Sequence, residues 1–117
     1  MSTQTKVTDS ATFNIGWIVL LVISVLATLN HIMLPAYGDD VALAIGWTGF
    51  SLYAIVVLAI PFHRGERWAW YASWILVIGF AAPILTYRES VAVAYLIAAG
   101  VMVLSLLLTW SAFFRQE

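Results

Sequence analysis

The sequence predicts an all-α protein, a four-helix transmembrane bundle running up-down-up-down with both termini cytoplasmic. Three observations carry that expectation. The first is composition: 63% of the 117 residues are apolar and 9% charged, against about 45–50% and about 25% in a soluble domain. A small globule buries only part of its area, so lipid is the expected solvent for that much apolar surface. The second is spacing. A span needs about 20 apolar residues, and four windows qualify: about Ile15–Leu34, Ala42–Phe62, Trp68–Thr86 and Val91–Phe114. The third is the shortness of the breaks between them, "PAYGDD", "HRGER" and "YRES". In lipid the backbone must satisfy its own hydrogen bonds, which makes these runs helices. Short connections make successive helices antiparallel neighbours. Residues 1–117 then form a single four-span membrane domain.

The basic residues set the orientation. With the N-terminus inside, Lys6, Arg64, Arg67 and Arg115 fall on the inner side and Arg88 alone on the outer. Lys and Arg are retained in cytoplasmic segments, so the cell (inner) membrane, crossed several times, is the expected location. Met1 to Thr12 is polar with a single lysine, and the run after it exceeds the h-region of a signal peptide. The first helix is therefore expected as a retained span.

In that first helix Trp17, Ser24, Thr28 and His31 are spaced by 7, 4 and 3 and share one face. In the second, Ala42, Gly46, Gly49 and Tyr53 form a stripe of mostly small residues, with Ala44, Thr48 and Ser51 roughly opposite. The inner loop holds Arg64 and Arg67 near lipid phosphates. Gly65 lets the chain reverse, and Glu66 suits the start of the third helix. Trp68 and Trp70 are expected to settle at the headgroup level. Arg64, Arg67, Trp68 and Trp70 thus read as a topology and interface anchor. Ala72, Gly79, Ala82 and Thr86 share a face of the third helix, and Ala94, Ala98, Ser105 and Thr109 do so approximately on the fourth. Small residues let helices approach closely, so bundle packing is the plain expectation for these faces. The two "IGW" triplets, at Ile15 and Ile45, are too short to mark a repeat.

Polar groups are expected to gather in the outer third. His31 lies about one turn inside the boundary and Thr28 one turn deeper, with Thr48 and Ser51 at similar depth on the second helix and Tyr95 on the fourth. Pro83 has no N–H, so the carbonyl of Gly79 is expected to lose its partner and the third helix to kink. His31, Thr28, Thr48, Ser51, Gly79 and Tyr95 are the candidate ligand-binding residues, with Tyr37, Asp39, Asp40, Tyr87, Arg88 and Glu89 as a mouth above them. A convergent polar cluster in an apolar bundle points to a binding site. The plainer alternative is that these groups only satisfy one another.

Several function classes lose their chemistry. No Asp, Glu, Lys or Arg sits deep in a span, so a proton pump, voltage sensor or ion-coupled transporter lacks its charge carrier. There is no cysteine, which excludes thiolate and disulfide-relay chemistry, and a net charge of −1 gives no reason to expect nucleic acid. His31 and His63 are expected at opposite membrane surfaces, which prevents a bis-histidine haem within one protomer. Nothing has metal-ligand spacing. Neither a catalytic residue, a metal nor a cofactor is assigned.

The "GERWAW" of Gly65–Trp70, after the second span, resembles small four-helix bacterial membrane proteins, including DoxX-like ones. The resemblance covers the hydropathy plan of the chain and about six residues of motif. It implies association with quinone or redox-linked membrane complexes and carries over no catalytic residue. Small multidrug exporters have a similar length, but the first span, "IGWIVLLVISVLATLNHIML", lacks their embedded glutamate. Fluoride channels need an arginine-bearing glycine-rich segment within the membrane, also lacking here.

Three functions are compatible with this sequence. The leading expectation is a non-enzymatic accessory or assembly subunit, forming a homo-oligomer or part of a larger membrane complex through its small-residue faces. A small-residue stripe facing lipid favours it. The second is a binding or carrier protein for a lipophilic molecule such as a quinone, lipid or isoprenoid, favoured by a lined cavity in the outer third. The third is an enzyme on a lipophilic substrate, with His31 as acid or base. That one requires Asp39, Asp40 or Glu89 beside the imidazole.

Overall fold

The computed structural model describes residues 11–38, 40–82 and 89–114, with backbone only at 89–91. These residues are helical apart from short turns. Helix α1 spans Ala11–Ile32, α2 Val41–Val57, α3 Arg67–Ala81 and α4 Glu89–Leu108, followed by the short α5, Trp110–Phe114. A 3-10 turn, Leu34–Tyr37, follows α1, and a π turn, Leu58–Phe62, extends α2.

At 22 residues α1 is about 33 Å long. It and the continuous stretch Val41–Phe62 are long and apolar enough to cross a membrane, and Ala92–Leu108 is a shorter apolar helix. The expected third run reached Thr86; α3 ends at Ala81, and 83–88, with Pro83 and the kink expected there, lie outside the described residues.

The π turn is explained by Pro61. Its missing N–H cannot close the usual bond to the carbonyl four residues back, and the helix widens around it. The turn is also tied to another helix: Trp17 Nε1 on α1 donates to the Leu58 carbonyl at 2.7 Å. The fourth run breaks once, at Thr109. Its hydroxyl donates to the Leu106 carbonyl at 2.9 Å, and its amide is shared between Ser105 and Leu106. A hydroxyl folded back in this way competes with the helix ladder and bends the chain.

The helices close a ring. α1 packs on α2 and on α4, α4 packs on α3, and α2 reaches α3 directly and through the π turn. Leu20, Leu58, Met102 and Leu106 fill the middle and are fully buried. One end is sealed by aromatics, with Phe62 and Phe113 ring centroids 4.8 Å apart and Phe13 within 6.2 Å of both. α1 and α4 come into close contact at Gly16. A Cβ there would stand 2.8 Å from Thr109 Cγ2 and 2.9 Å from the Ser105 carbonyl oxygen, so only glycine lets the two backbones meet.

Candidate functional site

The last turn of α1 carries two adjacent polar residues, Asn30 and His31. His31 turns inward and is 4% exposed. Its Nδ1 is 2.7 Å from Ser51 Oγ on α2, and its Nε2 is 3.0 Å from the Tyr95 hydroxyl on α4. Ser51 donates to the Trp47 carbonyl at 3.0 Å, and Asn30 Nδ2 donates to the Tyr95 oxygen at 2.6 Å. With the Ser51 proton on the Trp47 carbonyl, the Ser51 oxygen accepts from His31 Nδ1–H. In the tautomer that leaves Nε2 bare, Tyr95 donates to it, and one sense of donation then runs across three helices, from Asn30 through Tyr95, His31 and Ser51 to the Trp47 carbonyl. The His31 and Tyr95 rings lie almost parallel, 5° apart with centroids at 5.8 Å, and Trp47 flanks the imidazole at 5.5 Å.

Of the six expected site residues, the fold brings His31, Ser51 and Tyr95 together. Thr28 is buried but donates to the Ser24 carbonyl of its own helix at 2.8 Å. Thr48 is half-buried one turn from Ser51 and does not join the network. Gly79 serves packing: the edge of the Phe50 ring occupies the place a Cβ would take, at 2.6 Å. Of the expected mouth, Tyr37 and Asp40 are exposed. Asp39, Tyr87 and Arg88 lie outside the described residues, as does the side chain of Glu89.

Asn30 was not among the expected residues. It sits one position, about 100°, around the helix from His31, off the face defined by Ser24, Thr28 and His31. The signal was available, since an amide inside a span is costly unless it has partners.

Beside the network, α1 and α4 part to leave a groove of about 490 Å³. Ile23, Leu26, Ala27 and Asn30 line it from α1, and Ala94, Tyr95 and Ala98 from α4. Phe80 of α3, 2% exposed, closes it from behind. Leu26 and Ala94 are exposed at the rim, so the groove opens along the flank of the bundle. Its volume falls within the range of about 300–1,000 Å³ usual for small-molecule sites. The walls are aliphatic and aromatic, and the polar end is Asn30 with Tyr95.

The "HRGER" end is built differently. Gly65 turns the chain at φ +79°. Arg64 pairs loosely with Glu66 at 3.8 Å, and Trp68 Nε1 donates to Glu66 Oε1 at 2.7 Å. Arg67 Nε donates to the Phe113 carbonyl at 2.9 Å, and its guanidinium lies 5.6 Å from the Phe114 ring centroid. Trp70 was expected to settle at the headgroup level. It is 6% exposed, and its Nε1 donates to the Leu106 carbonyl at 3.0 Å, which ties α3 to α4. Arg64 and Trp68 face outward; Arg67 and Trp70 are also clamps inside the fold. The His63 ring lies 4.2 Å from Trp17, near the start of α1, whereas His31 is in its last turn. The two imidazoles are therefore at opposite ends of that helix.

Among the described residues no group of three or more His, Asp or Glu side chains could hold a metal ion. Among the described residues no carboxylate bonds the His31 ring. What the arrangement offers is apolar contact along a groove and neutral hydrogen bonding at one end of it. No protein-family model matches the chain, and neither a curated protein nor a solved structure matches it significantly.

Proposed function

We propose that the chain is a four-span protein of the cell (inner) membrane that holds a lipophilic small molecule in the groove between α1 and α4, without catalysing a reaction on it. The membrane part is supported by the bundle's outer surface. Ile45, Ile78, Ile97 and Leu104, on three different helices, are each 63–69% exposed. Large apolar side chains exposed around the bundle support a membrane or protein contact rather than water. The basic bias supports a cytoplasmic "HRGER" and a groove in the outer half.

The groove itself carries the binding part: an apolar cleft whose polar groups are confined to one end, where Asn30 and Tyr95 lead into a buried hydrogen-bond chain. The test fills the groove from its rim. Ala94 is exposed, so Ala94→Trp is tolerated by the fold while its indole occupies the cleft. Wild-type protein purified in mild detergent is expected to carry a lipophilic molecule detectable by native mass spectrometry. The variant, with unchanged helicity and elution, is expected to lose it. The same molecules in the same amounts on both proteins would refute the reading.

One observation favours a second reading, the accessory or assembly subunit. The stripe Ala42, Gly46, Gly49 and Tyr53 faces away from the bundle, and a Cβ at Gly46 or Gly49 would meet nothing within 4 Å. Outward small residues let a further helix approach closely, as in a homo-oligomer or a larger complex. The resemblance of Gly65–Trp70 to DoxX-like proteins would suit either reading and decides neither.

A further inference from the structure

The groove has a long apolar wall and one amide. We infer that Asn30 reads the polar head of the bound molecule and selects an uncharged head bearing a hydroxyl or carbonyl, the apolar remainder lying against Ile23, Ala27 and Phe80. This rests on the groove being a ligand site.

Three observations carry the inference. Asn30 lines the groove and is half-buried. Its Nδ2 donates one hydrogen to Tyr95, and that bond holds the amide plane. A primary amide has a second N–H and a carbonyl oxygen. In an apolar cleft these cost free energy unless a partner reaches them. A hydroxyl satisfies both, donating to Oδ1 and accepting from Nδ2, and a carbonyl satisfies the N–H. The second observation is the wall. Among the described residues lining the groove none carries a charge, so a phosphate or ammonium would lose hydration without gaining a counter-charge. The third is the chain behind Asn30. In the tautomer with Nε2 bare, Tyr95 donates to His31, which donates to Ser51. Bonds aligned in one sense polarise one another, and the amide donates at the head of that series.

The experiment uses photolabelling of the full-length protein in lipid nanodiscs. One probe is a long-chain alcohol bearing a diazirine; the other is the same chain ending in a phosphate monoester. Labelled positions are mapped by peptide mass spectrometry. The alcohol is expected to label groove peptides of the wild type, and the phosphate to label them roughly tenfold less. Asn30→Leu, close in volume, is expected to lower alcohol labelling by roughly five- to tenfold, the effect of one hydrogen bond. Asn30→Gln, which restores the amide, is expected to recover part of it and guards against misfolding of the leucine variant. Equal labelling by the two probes, or alcohol labelling unchanged in Asn30→Leu, would overturn the head-group inference and leave the groove standing as a binding site. If neither probe labels the groove of the folded wild type, the groove reading fails and the inference with it.

Discussion

Single glycines differ sharply in what they do. Gly16 and Gly46 occupy the same place in two identical "IGW" triplets, yet one is a seam and the other is open. Gly16→Ala puts a methyl against a carbonyl oxygen of α4, which cannot move without moving the helix. It should cost about 1–3 kcal/mol. Gly46→Ala meets nothing and gains helix propensity, so it should be neutral or stabilising by up to about 1 kcal/mol. Reversible unfolding in mixed micelles measures both, and equal effects would contradict the α1–α4 seam. These roles were not legible in the triplets, because spacing on one helix does not say which neighbour lies opposite. His31 was legible, since a lone imidazole in an apolar run must turn inward or reach a surface. Asn30, which bonds Tyr95, was not legible, because it lies off the face that Ser24, Thr28 and His31 share.

Helix positions were largely readable, because hydropathy dominates every other signal in this chain. What hydropathy hides is the irregularity inside a run. Pro61 leaves the hydropathy of the second run unbroken, yet it converts the end of the helix to a π turn that Trp17 bonds from α1. Trp17→Phe keeps the ring and removes the donor. It should destabilise the protein by about 1 kcal/mol, and amide exchange should quicken at the end of α2 more than at its start. Uniform change along the helix would mean that the indole bond does not hold the turn. The stripe Ala42–Gly46–Gly49–Tyr53 illustrates a second limit. A helix apolar all round has no polar side to mark the outside, so the sequence assigned to bundle packing a face that the fold leaves open.

The whole molecule is held by cross-helix ties at its two ends, aromatic and guanidinium contacts at one and the His31 network at the other. The proposed topology places these ends on opposite membrane surfaces. Cysteines at Gly38 and at Gly65 test it in intact cells with an impermeant thiol reagent; the chain has no native cysteine to confuse the result. Labelling at Gly38 and not at Gly65 is expected, and the reverse pattern would invert the assignment. The ring of helices could be anticipated from short loops, but the gap between α1 and α4 could not. It depends on two helices touching at Gly16 and separating further along, a relation between distant residues that no local pattern encodes.

That gap opens sideways. In a bilayer its rim at Leu26 and Ala94 faces acyl chains, not water. An occupant would arrive and leave within the plane of the membrane. The quantity that sets occupancy is then the ligand's mole fraction among the lipids, not its concentration in the buffer. Diluting a proteoliposome suspension with buffer should leave the groove as full as before, whereas fusing the same vesicles with ligand-free lipid should empty it. A groove filled from water would show the opposite dependence.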